Sequence, residues 1–302
     1  QNFAFWRYYA LRRILRIWPL YLLVLGLSFI TINGAAAWNA SQDAFPLVVF
    51  RLPAELAYLP GGTYTMSASE LLAHILLAKG KGVLWSIPVE FKYYLVLPFV
   101  GLLLVYVARK DTIAATLLIT TLVAASIYVW PPAESPPSTI RLGFYLPIFL
   151  LGQLGAVIHY RMPDLSNRLR LAMDWMALCC LILIAMTIPS VYSFVRDIDQ
   201  VPVMTFHRQF LFYGIVWGGF VLGTLHGTGY LSRLFSLMPL RYLGFISFSV
   251  YLWHLSVIHV VQMLPSSGPW LSGVFAAAAI IVVAALSYHW IEKPFLKIRI
   301  PR

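Results

Sequence analysis

Charge is what this chain has least of: 11% of its 302 residues are charged, and only 11 residues are acidic. So little charge beside 60% hydrophobic residues excludes a soluble domain of this size. Cysteine is almost absent. Cys179 and Cys180 are neighbours inside an apolar run, which excludes a disulfide framework. Seven histidines are present, none with metal-ligand spacing to a cysteine or carboxylate, so no metal is expected. No signal peptide is visible, and Gln1 is not a natural start, so the first residues read as the middle of a longer chain. What is abundant is apolar sequence, with a mean hydropathy of +0.79. Gly and Pro, 19 each, suit membrane helices. The expected fold class is all-α, a polytopic transmembrane helical bundle occupying residues 1–302 as one domain.

Eight spans are expected, over residues 17–32, 85–108, 112–130, 140–159, 174–189, 208–226, 241–263 and 271–291. Residues 33–83 form the longest connection, broken by Pro46, Pro53 and the Pro60-Gly61-Gly62 turn, with a short interfacial helix over 68–79. The net charge of +11 raises the question of nucleic acid. The basic residues sit around the apolar runs and form no recognition helix, so no nucleic-acid partner is expected; the bilayer is. Fifteen of the 22 Lys and Arg collect on one side, which the positive-inside rule makes cytoplasmic. Both ends of this chain are then cytoplasmic, and residues 33–83 face out.

Glu90 is an ionisable group within a span, which is costly and marks a functional site. On its helix face lie Tyr93 and Tyr94, whereas Lys92 points elsewhere. Ser86 can cap this helix, with Pro88 in its first turn. Glu90 enters from outside to a depth of roughly 8 Å, and His254 lies roughly 20 Å above Arg241, also in the outer half. Gly244, Ser247, Tyr251 and His254 share one face, a polar stripe expected towards the interior. A carboxylate and an imidazole at similar depth could form a base and its orienter, or each could satisfy a packing neighbour. Arg12, Arg13 and Arg16 lie at the mouth of the first span. They serve either as a topology anchor or as a phosphate clamp. The remaining histidines read as interfacial, and Glu292-Lys293-Pro294 as a helix stop.

Four stretches, in order, carry a resemblance. They are Arg12-Arg13-Ile14-Leu15-Arg16-Ile17-Trp18-Pro19, Trp85-Ser86-Ile87-Pro88-Val89-Glu90 with Tyr94, residues 243–254 ending in Tyr251-Leu252-Trp253-His254, and Ile291-Glu292-Lys293-Pro294-Phe295. Together they resemble the bacterial acyltransferase-3 family of integral membrane acyltransferases. The resemblance implies ten spans, with acyl transfer from cytoplasmic acyl-CoA, usually acetyl-CoA, to a hydroxyl of an extracytoplasmic or lipid-linked glycan in the inner membrane. It implies that Arg13 and Arg16 form the family's RxxR motif and hold CoA. It also implies that Glu90 is the acidic residue of WSxxxE. The family's histidine-bearing first span and the span after it have no counterpart here, so the chain alone is expected to be inactive. A different class, a proton-coupled transporter using Glu90 and His254, fits the intramembrane polar residues without the resemblance. A non-catalytic membrane subunit is a third reading, and it would tolerate Glu90→Ala.

Overall fold

The computed structural model describes residues 3–41, 66–80, 82–136, 139–162, 164–196, 210–262, 264 and 268–299. Among them every regular element is helical: α1 (Phe3–Ser41), α2 (Ala68–Ile75), α3 (Ser86–Lys110), α4 (Thr112–Val129), α5 (Leu146–Arg161), α6 (Asn167–Met186), α7 (Pro189–Arg196), α8 (Phe210–His226), α9 (Tyr230–Phe235), α10 (Met238–Gln262), α11 (Pro269–Ser287) and α12 (Lys293–Leu296). This is the polytopic helical bundle expected from composition. Six helical stretches are long and apolar enough to cross a membrane: 5–31, 83–110, 112–134, 142–160, 167–186 and 270–296. The expected spans 208–226 and 241–263 correspond to α8, which is 17 residues long, and to α10, which is 25 residues long.

Helix boundaries depart from expectation in three places. α1 starts at Phe3, well before the expected span at residue 17, so the helix carries Arg12, Arg13 and Arg16 and Pro19 is internal. It also continues to Ser41, so the connection begins later than residue 33. Pro46, Pro53 and the Pro60-Gly61-Gly62 turn lie outside the described residues. The fifth span begins at Asn167 rather than 174, because Arg168 and Arg170 extend the helix as strong helix formers. The helix expected over 68–79 is confined to α2, where Ser67 and Glu70 form a capping box.

The residues group into two compact units, 1–88 with 242–302, and 89–241. In the first, α1 packs on α2, on α12 and on the turn before it. Tyr21, fully buried, donates its hydroxyl to the His74 carbonyl at 2.8 Å, and the Asn33 side chain makes two bonds to the Met66 backbone. His74 itself is fully buried, not interfacial, and its Nδ1 bonds the Glu70 carbonyl at 2.8 Å.

In the second unit α4 packs on α5, α5 on α8 and α8 on α6, and a core of Leu104, Ile119, Val123 and Leu150 joins α3, α4 and α5. The closest approach is α6 against α8, along Gly219, Gly223 and Gly227. These are spaced by four residues and therefore lie on one face. A Cβ on Gly223 would stand 2.6 Å from the Met173 carbonyl oxygen, and one on Gly219 would stand 3.0 Å from Cys180 Sγ. Such small-residue faces let membrane helices gain dispersion and close contact where lipid supplies no hydrophobic drive. At the end of this seam Asp174 accepts from the Thr228 backbone N–H at 3.0 Å and from its hydroxyl. Gly223→Ala should cost about 1–3 kcal/mol, because the opposing atom is backbone and cannot rotate away. Thermal denaturation of the purified protein in detergent reads that loss. An unchanged midpoint would mean that α6 and α8 do not pack this closely.

Candidate active site

In the first unit the basic face of α1 runs antiparallel to the end of the chain's last long helix. Arg12 Nη1 donates to the Leu296 carbonyl at 2.8 Å, one of the carbonyls a helix end leaves without an internal partner. One turn further along α1 stands Arg16, and one turn back from Leu296 stands Glu292. The two are close enough to interact electrostatically. Arg13 lies over the ring of Tyr9, with its guanidinium carbon 5.3 Å from the centroid. The three arginines thus differ in occupation: Arg12 is tied to backbone, Arg13 is stacked, and Arg16 is exposed beside a buried carboxylate.

Glu292 is 4% exposed. Its carboxylate accepts from the Ser249 hydroxyl, Ser249 and Ser287 are bonded at 2.9 Å, and the Trp253 indole donates to Ser287 at 3.1 Å. On an α-helix, residues five apart sit about 140° from each other, so Ser287 and Glu292 could not both reach one serine. They do so because residues 288–292 form a π turn, in which the Lys293 N–H bonds the Tyr288 carbonyl. That i→i+5 spacing stacks position 292 over 287, and such turns are frequent at functional sites. Pro294 therefore does not end the helix as expected. It opens α12, the register having already changed before its missing N–H matters.

The polar stripe of α10 is displaced from its expected face. Gly244 and Ser247 are exposed, and the buried positions are Ile246, Ser249 and Leu252. Tyr251 and His254, half-buried, remain engaged. Ser86 does not cap α3, because a 3₁₀ turn over Gly82–Trp85 precedes it. Its hydroxyl donates to the Tyr251 hydroxyl at 2.8 Å, and Tyr251 donates to the Val83 carbonyl at 2.7 Å. His254 Nδ1 lies 2.6 Å from the Tyr251 carbonyl. A carbonyl only accepts, so Nδ1 carries a proton, and in the neutral ring Nε2 is then the acceptor.

Glu90 belongs to the second unit, on α3, half-buried. Tyr94, one turn on, donates its hydroxyl to Oε1, as the shared face foretold. Lys92 points elsewhere, its ammonium donating to the Ile140 carbonyl at 2.8 Å. Tyr93 stacks on Phe149 with centroids 3.9 Å apart. The hydroxyl of Tyr93 also accepts from Gln153 at 2.6 Å. Neither unit by itself contains both Glu90 and His254. At the basic ends of α5 and α8, His159 Nδ1 and His226 Nε2 are 3.0 Å apart, a pair that reading each histidine singly does not reveal. Among the described residues no three His, Cys, Asp or Glu side chains gather as a metal site.

Among the described residues, long apolar helices with a few carboxylate and hydroxyl groups buried between them, and arginines along one helix end, define an integral membrane protein of the multi-pass helical class. It belongs to the acyltransferase family: the family model described as "Acyltransferase domain" matches residues 2–289. Glu292 lies just beyond that matched stretch. Among relatives, the Bacillus subtilis (strain 168) protein named "Putative peptidoglycan O-acetyltransferase YrhL" is 27% identical over 227 residues, covering 70% of this chain and 34% of that protein. Peptidoglycan O-acetyltransferase OatA of Listeria monocytogenes is 33% identical over 95 residues, 30% of this chain and 15% of OatA. Nodulation protein 10 of Rhizobium leguminosarum bv. viciae is 25% identical over 305 residues, 96% of this chain and 76% of that protein. The chain thus spans about a third or less of the two peptidoglycan O-acetyltransferases. No solved structure matches it.

Proposed function

We propose that this chain is the membrane part of an O-acyltransferase that moves an acyl group, acetyl by preference, from cytoplasmic acyl-CoA to a hydroxyl of an extracytoplasmic or lipid-linked glycan. The names of the peptidoglycan O-acetyltransferase relatives support the reaction and the acceptor class. The charge asymmetry supports an inner-membrane protein with the basic helix ends, and both ends of this chain, in the cytoplasm. In the transfer, the acceptor oxygen bonds to the thioester carbonyl carbon and the carbon–sulfur bond breaks. The hydroxyl proton passes through a protein base to the departing thiolate.

The observation that carries the reading is the exposed Arg16 on the same face of α1 as Arg12 and Arg13, one turn on from the Arg12–Leu296 bond and within electrostatic reach of the buried Glu292. An exposed guanidinium keeps its donors accessible to phosphate, and a nearby carboxylate that does not bond it leaves them so. Arg13 and Arg16 take the CoA phosphates; Arg12 is the least available, since Leu296 holds it. Glu90 and His254 handle the proton. Glu90 is oriented by Tyr94, and His254 is set by Tyr251 with Nε2 as acceptor.

Two measurements test this. Mass spectrometry of cell-envelope glycans, with and without the gene, should show O-acyl groups lost on deletion; an unchanged glycan profile would reject the acceptor class. Replacing Arg13 and Arg16 together by Lys keeps the charge but removes the bidentate forks. Acetyl-CoA affinity, by calorimetry on the purified protein, should fall at least about tenfold, the worth of one charge-assisted bond. Unchanged affinity with normal insertion would return both arginines to a topological role.

A further inference from the structure

Within the second unit a cavity of about 500 Å³ opens between α3 and α5. That volume lies in the roughly 300–1,000 Å³ range of ligand sites. Its walls are apolar side chains, Leu97, Gly101 and Leu104 from α3 facing Val157 from α5. Gln153 lines it as well, and so does Arg109, in the last turn of α3 beside Lys110. Leu104 and Val157 meet in the apolar core, so the cavity has a packed wall rather than a hole through the bundle. Gly101 leaves it open: a Cβ built there meets nothing within 4 Å. A glycine within a helix costs roughly 0.5–1 kcal/mol relative to alanine, and here no close backbone approach requires it.

Three features define the occupant. Leu97 and Arg109 are twelve residues apart on one helix, about 18 Å, close to the half-thickness of about 15 Å of a bilayer core. The polar end of the cavity carries a guanidinium with Lys110 next to it, and this is the end that the charge count makes cytoplasmic. Lys110 is itself turned onto the Tyr106 hydroxyl at 2.7 Å, so Arg109 is the cation left at the cavity. Basic pockets between membrane helices on the cytoplasmic side suit phosphate head groups.

We infer that this cavity binds an anionic phospholipid of the cytoplasmic leaflet, one acyl chain lying along Leu97, Gly101 and Leu104 and its phosphate on Arg109. None of the acyl-transfer residues proposed above lines it, and it gives the protein a dependence on membrane composition.

The test is native mass spectrometry of the purified full chain, titrated with phosphatidylglycerol or phosphatidylcholine. The unmodified chain should retain phosphatidylglycerol at least about fivefold more strongly, the worth of roughly one juxtamembrane basic residue. Arg109→Gln should erase that preference while leaving weak binding of both lipids. Gly101→Phe, which fills the cavity, should abolish retention, whereas Gly101→Ala should leave it unchanged. The inference is overturned by equal retention of the two lipids, or by a Gly101→Phe chain that holds phosphatidylglycerol normally. It is equally overturned if acetyl-CoA displaces the lipid from the unmodified chain, which would give the cavity to the donor substrate.

Discussion

Glu90→Gln should lower acyl transfer by about 10²- to 10⁴-fold, the usual contribution of a positioned acid or base, with folding and insertion unchanged. The substitution keeps the volume and leaves an oxygen able to accept from Tyr94, so the local helix geometry survives. Only the charge goes. A carboxylate that stays half-buried within a membrane helix, oriented by one phenol and lacking a cation among its hydrogen-bond partners, has little structural justification for its cost. Measured as acetyl groups per glycan in membranes of equal protein content, retention of more than half the activity would remove Glu90 from the chemistry. His254→Ala should also reduce transfer, by less than Glu90→Gln. His254→Gln should recover part of any loss that arises from packing.

The second large effect lies at Glu292. Ser249→Ala removes only the hydroxyl oxygen and so deprives a buried carboxylate of its donor, and a hydrogen bond to a charged group is worth about 1.5–3 kcal/mol. The protein should therefore lose stability by that amount, read as a lower midpoint of thermal aggregation in detergent. Glu292→Leu should be far milder for folding, because a buried ion replaced by an apolar group of similar size is often neutral or stabilising. It should nonetheless weaken acetyl-CoA binding, since Arg16 loses its nearby counter-charge. Stability and binding would thus separate: Ser249→Ala strikes mainly the first, Glu292→Leu mainly the second. Equal loss of both properties in both variants would reduce the cluster to a packing element.

The helices were legible because their signal is length and apolarity, which need no knowledge of partners. Lys92 and Glu90 fall on different faces in the structure as the 3.6-residue period requires, and Tyr94 meets Glu90 for the same reason. Periodicity failed where a local event changes the period. The π turn hid Glu292, which counting by 3.6 places away from Ser287, and its proline advertised an end that does not occur. Pairings between distant segments were also out of reach. Ser86 had a plausible local task as a cap, and only tertiary structure shows its hydroxyl turned to Tyr251 instead. The α10 stripe was drawn through Gly244 and Ser247, but burial favours the neighbouring line through Ile246 and Ser249. A single helix cannot say which of two adjacent faces a neighbour covers. The glycine seam of α8 was visible as a spacing of four, and its significance rests on α6 presenting Ala177 and the Met173 carbonyl to it.

The turn before Pro294 also bears on how this chain varies among its relatives. A π turn is an α-helix holding one residue more than its neighbours on either side require. Remove any one of residues 288–291 and Glu292 falls four places after Ser287, the spacing at which an ordinary α-helix already stacks two side chains. Both flanks would keep their faces, Leu296 would still present its carbonyl to Arg12, and only the bulge would vanish. Single-residue gaps in an alignment of such chains should therefore gather at this turn, without compensating changes elsewhere, while gaps in the helices on either side stay rare.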